Sequence, residues 1–115
     1  MDARHIVAAR AHDQFMAIRV AGLVLVAIQA LDVWTTHAIL SSGGYEANPL
    51  AASILAAGGL GGLALAKAAF SAVSIASGTA LARRGFVYVA QAAMVAVVLM
   101  HLLMVSSNLH QLVRG

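Results

Sequence analysis

The chain has 115 residues, 62% hydrophobic and 10% charged, with a mean hydropathy of +0.90. A soluble domain carries about 25% charged residues, so the composition argues against one and points to a single polytopic membrane unit. Lys and Arg outnumber Asp and Glu by 7 to 4 and cysteine is absent, which removes disulfides, thiolate metal sites and thiol chemistry. A pI near 10.2 would suggest nucleic acid in a soluble protein. Here the basic residues stand at segment ends and there is one tryptophan, so they set membrane orientation and no nucleic-acid partner is expected.

The N-terminal segment carries Arg4 and Arg10 ahead of the first apolar run. In outline this resembles a secretory signal. The run from Val20 to Leu40 is long enough to span a bilayer, which takes roughly 20 apolar residues, so it is expected to be kept as a span. The first span is predicted over about 15–40, with Arg19 snorkelling to the headgroups at its start. "SSGG", Ser41 to Gly44, ends it.

Asn48 is a good N-cap, and Pro49 suits the first helical position, where its missing N–H costs nothing. A short helix is predicted over about 49–57. It meets "AGGLGG", Ala57 to Gly62, where each glycine weakens a helix by about 1 kcal/mol relative to alanine. The second span follows over about 60–82. One long helix with a glycine-softened bend is the alternative. Arg83 and Arg84 form a charged turn, and the third span covers about 86–109, with Tyr88 at its interface. The expected fold is all-α, a single membrane domain of three transmembrane helices plus the short helix after the first outer loop.

Orientation follows from the arginines. Arg4, Arg10 and Arg19 flank the start, and Arg83 and Arg84 occupy the second loop. The first loop has no basic residue and one acid, Glu46. The positive-inside rule puts the N-terminus and the Arg83–Arg84 turn in the cytoplasm.

A helix rises about 1.5 Å per residue. Counted from Arg19, Arg83 and Phe86, Asp32 lies about 20 Å in, Lys67 about 24 Å and His101 about 22 Å. Three ionisable residues, one per span, therefore share a depth. An isolated charge at mid-membrane costs about 2.5–3.5 kcal/mol, so a buried Asp32–Lys67 ion pair is the economical arrangement. His101 could donate to Asp32 or hold a water beside it. Gln29, Asp32, Thr35 and Thr36 share one side of the first helix. Lys67, Ser71, Ser74 and Gly78 share one side of the second, and Met94, Val98, His101 and Asn108 form a stripe on the third. His37 lies about 140° around from Asp32 and faces elsewhere. Neither capping nor topology requires the carboxylate of Glu46. The candidate polar-layer or binding residues are Asp32, Thr35, Thr36, Glu46, Asn48, Lys67 and His101.

The order Asp32-x-x-Thr35-Thr36, then Gly44-x-Glu46-x-Asn48-Pro49, then Lys67 in the next apolar stretch resembles a family of small bacterial and archaeal membrane proteins known only as a domain of unknown function. The resemblance covers about Gln29 to Phe70 and leaves the third span unmatched. It implies a compact membrane fold of three or four helices in a prokaryotic cytoplasmic (inner) membrane, and no activity.

Three functions compete. An accessory or scaffold subunit of a larger membrane assembly leads, because the chain has no sizeable loop and limited interior. Its expected partners are lipid and either another protein or further copies of itself. An oligomeric transporter or channel is the alternative, with the polar layer binding a solute or relaying protons. An intramembrane enzyme or metal site comes third: Asp32, Glu46, His37 and His101 are plausible ligands, yet no metal-ligand spacing or catalytic signature appears. No cofactor, metal or catalytic residue is expected.

Overall fold

The computed structural model describes residues 2–114. Three helices make up the fold: α1 Ala3–Ser41, α2 Pro49–Arg83 and α3 Val87–Arg114. Each packs against the other two. The body measures 62 × 27 × 17 Å, a narrow bundle set by α1, whose 39 residues extend about 58 Å.

Local chemistry sets the helix ends. The Asp2 side chain caps α1 by accepting from the His5 backbone N–H at 3.1 Å. Asn48 caps α2 by accepting from Leu50 N–H at 3.0 Å, with Pro49 as the first helical residue. Gly43 (φ 84) and Gly85 (φ 91) turn the chain after α1 and α2. Helical order overruns the expected spans, reaching back to Ala3 and on to Arg114.

The expected short helix and second span form one long element with a kink, so the fold has three long helices. The kink is at Gly59, whose φ 67 and ψ −165 are non-helical. Only glycine takes such a conformation without steric cost. The "AGGLGG" stretch thus kinks α2 and sets off a first arm from Pro49 to Gly58.

The turn end is packed tightly. Ile18, Ala82 and Ala90 form a buried apolar cluster there, with Phe15, Leu81 and Val87 against it. A Cβ on Gly22 would fall 2.9 Å from Ile75 Cγ1, so α1 and α2 approach as closely as a missing side chain allows. Toward the other end the interior turns polar: Gln29, Asp32, Thr35, Thr36, Lys67, Ser71 and His101 are all buried. The exterior is the reverse. Leu23, Leu65 and Leu103 are 71%, 72% and 73% exposed. Apolar outside and polar inside is costly in water and comfortable in lipid. All three helices are long and apolar enough to cross a membrane.

Candidate functional site

The polar interior is built around Asp32. On α1 the residues Gln29, Asp32, Thr35 and Thr36 recur at helical spacing and face inward. Lys67, from α2, places its Nζ 2.5 Å from Asp32 Oδ2, with side chains 10% and 5% exposed. Ser71, one turn on, donates to the Lys67 carbonyl at 3.0 Å.

Asn108 on α3 joins these groups. Its Nδ2 donates to Asp32 Oδ1 at 2.8 Å and to Thr35 Oγ1 at 3.1 Å. Thr36 Oγ1 lies at 3.5 Å. An amide nitrogen carries two hydrogens, so the two shorter contacts hold them. Thr35 in turn donates to the Asp32 carbonyl at 3.0 Å. Thr36 donates to Glu46 Oε2 at 3.3 Å, and Glu46 Oε1 accepts from the Asn48 backbone N–H at 3.0 Å. One set of bonds therefore joins Lys67, Asp32, Asn108 and Thr35, and a second runs from Thr36 through Glu46 to Asn48, beside the first at the 3.5 Å Asn108–Thr36 contact. Together they tie three helices and the 42–48 loop.

Glu46, which the sequence left without a role, fastens the loop to α1. His101 is buried in the polar interior as expected but bonds to Gln29 and Val97, not to Asp32, which was one of the two arrangements expected for it. Its Nδ1 lies 2.8 Å from the Val97 carbonyl, which can only accept, so Nδ1 carries the proton. Its Nε2 then accepts from the Gln29 amide at 3.1 Å. The ring also packs near Phe70, with centroids 5.3 Å apart. Gln29 Oε1 is buried with no partner among the described residues, an arrangement that costs about 1–3 kcal/mol. His37 is exposed.

Two cavities flank the ion pair. One, of about 280 Å³, is lined by Gln29, Lys67, Phe70 and His101 on one side and by Leu50 and Ile54 of the α2 first arm on the other. The second, of about 370 Å³, borders Asp32, Glu46, Ser107 and Asn108. They share Asn48, Met100 and Met104. The described residues contain no group of three His, Asp or Glu placed to hold a metal ion.

Asn108 lies on the predicted α3 stripe and Gln29 on the predicted α1 face, and neither is among the candidate site residues read from the sequence. Asn108 is an amide near the end of an apolar helix, and that position was the available signal.

The arrangement is a buried ion pair whose carboxylate is also hydrogen-bonded, and it couples the helices. A pair of this kind adds little net stability compared with apolar packing, yet breaking it from one side is costly. It specifies which faces meet and at what register.

No curated protein and no solved structure matches the chain significantly. A family model does, over residues 23–114, and so includes the third helix, where the sequence offered no motif. The chain therefore belongs to the family described as "Domain of unknown function (DUF5658)".

Proposed function

We propose that this protein is a multi-pass protein of a prokaryotic cytoplasmic membrane, with its N-terminus inside, serving as an accessory or scaffold subunit of a larger membrane assembly. The observation that carries it is the Lys67–Asp32–Asn108 network, which links all three helices inside an apolar exterior. Such a network makes a small bundle a rigid block. Most of each helix surface remains outside it. Ala68, Ala72, Ala76 and Ala80 lie exposed at four-residue intervals on α2, where a neighbouring helix could approach closely. The arginines at the N-terminus and the α2–α3 turn support the orientation.

Crosslinking in native membranes followed by purification tests the assembly reading. A partner or second copy recovered in fixed proportion is expected, and a lone monomer counts against it. The cysteine-free sequence makes orientation simple to read. A cysteine at Tyr45 should react with an impermeant maleimide from outside, and one at Gly85 only after lysis.

The cavities meeting at the ion pair favour a second reading, a solute-binding or proton-relaying oligomer. Flux into proteoliposomes compares wild type with Asp32→Asn. Equal flux from both removes this reading.

A further inference from the structure

We propose that a notch between α1 and α2 at the turn end binds the phosphate of an anionic phospholipid headgroup. The notch, about 230 Å³, is lined by His12, Phe15 and Arg19 of α1 and by Thr79 and Arg83 of α2. On α1 they follow i, i+3 and i+7 spacing and on α2 i and i+4, so each set shares a face. The Ile18–Ala82 cluster lies at this same end and fixes the two helices against each other.

The chemistry is that of an oxyanion site. Arg19 and Arg83, from different helices, line one space, and a guanidinium carries a planar fork of donors matched to phosphate oxygens. The Thr79 hydroxyl adds a donor. The ion pairs among the described residues are Asp2–His5 and Asp32–Lys67, so neither arginine has a carboxylate partner there. The chain's four acids are Asp2, Asp13, Asp32 and Glu46. Asp2 caps the far end of α1, and Asp32 and Glu46 belong to the polar network. Asp13 is exposed and does not line the notch. Two cationic residues that line one notch without a carboxylate partner gain from an anion.

The surroundings select a lipid over a free anion. Arg19 stands at the foot of the apolar run of α1, and Arg83 at the end of α2, where headgroups lie if the helices span a bilayer. Phe15 gives the notch an apolar wall. Leu23, one turn from Arg19 toward the bundle centre, is 71% exposed, and on α2 Ala76 and Ala72 continue the same way. A headgroup at the arginines can therefore lay its acyl chains along apolar surface. Basic pockets between membrane helices recognise anionic lipids in this manner.

The proposal rests on the membrane reading, so insertion is scored first, by resistance to carbonate extraction. Failure there overturns that reading and the notch with it. Inserted protein is then purified from bilayers of phosphatidylglycerol and phosphatidylcholine with identical chains, and retained lipid is counted by native mass spectrometry. Wild type should retain phosphatidylglycerol at least tenfold over phosphatidylcholine. One arginine near an anionic group is worth about fivefold. Arg19→Gln with Arg83→Gln should therefore bring the preference to within about twofold, while Arg84→Gln, outside the notch, should change it less than twofold. Equal retention of the two lipids by wild type overturns the proposal whether or not the variants fold. So does an equal loss in Arg84→Gln, which would mean diffuse surface charge. Displacement of the lipid by millimolar inorganic phosphate would assign the notch to a free anion instead.

Discussion

Asp32→Asn removes the carboxylate on which the polar network turns. In the native arrangement Oδ2 faces the Lys67 ammonium at 2.5 Å and Oδ1 accepts from Asn108 at 2.8 Å. An amide in its place has one acceptor oxygen, which can serve Lys67 or Asn108 but not both. Its nitrogen then faces a donor. The Lys67 side chain is 10% exposed, so water does little to rescue the unpaired charge. Breaking a buried pair from one side costs about 3–5 kcal/mol, and the surviving hydrogen bond places this change near 3 kcal/mol. Adding Lys67→Met removes the stranded charge at similar volume, so the double variant should recover about 2 kcal/mol, a coupling typical of groups in direct contact. Reversible unfolding in mixed micelles, followed by helical circular dichroism, measures all three variants against wild type. A buried, paired carboxylate at Asp32 is refuted if Asp32→Asn lies within about 0.5 kcal/mol of wild type, the usual range for an uninvolved surface change. It is equally refuted if the double variant equals the sum of the two singles.

Other expectations concern different parts of the structure. Asn108→Ala deletes the donor to Asp32 and Thr35 and should cost about 1.5–3 kcal/mol, the range for bonds to charged groups; Ser107→Ala, exposed beside it, should be near neutral in the same unfolding assay. Gly22→Ala puts a methyl 2.9 Å from Ile75 and should cost about 1–3 kcal/mol through overpacking; Ile75→Ala should restore part of the loss, and a harmless Gly22→Ala would contradict the close approach. Gly59→Ala meets no neighbour within 4 Å, so its cost of about 1–3 kcal/mol, that of a side chain forced to positive φ with extended ψ, is purely backbone. Spin labels on the two arms of α2 should report a changed bend, and an unchanged distance and stability would mean Gly59 does not set it. His101→Phe strands the Gln29 amide and should cost about 1–3 kcal/mol; adding Gln29→Leu should recover most of it, because the polar partners then leave together.

The three helices and the Asp32–Lys67 pairing were legible because rare charges in apolar sequence have few places to go. The register of α3 was not. Span ends marked by charges and turns set Arg19 and Phe86 level. The structure instead clusters Ile18 with Ala90, bonds Gln29 to His101, and brings Thr36 to Asn108, pairs that are each 72 residues apart. Relative to that level, α3 is shifted by roughly five residues, about 7 Å along the axis. That shift carries His101 past Asp32 to Gln29 and delivers Asn108 to the carboxylate in its place. Periodicity gives the face of a helix but not how far it slides along its neighbour; here the small residues at the turn end, Ala82 and Ala90, set that distance. Glu46 escaped for another reason. Its partners, a threonine hydroxyl ten residues back and a backbone N–H two residues on, form no pattern that spacing rules detect.

On the proposed membrane reading, the network lies inside a bundle whose outer faces meet lipid. Spin-label accessibility in bilayers tests this most directly, with single labels at Leu99, Leu103, Tyr45 and Gly85. Leu99 and Leu103, 55% and 73% exposed, should be open to oxygen and closed to a water-soluble nickel chelate. Tyr45 and Gly85 should be open to the chelate. Chelate access at Leu99 and Leu103 equal to that at Tyr45 would put those faces in water and rule out a lipid-facing exterior.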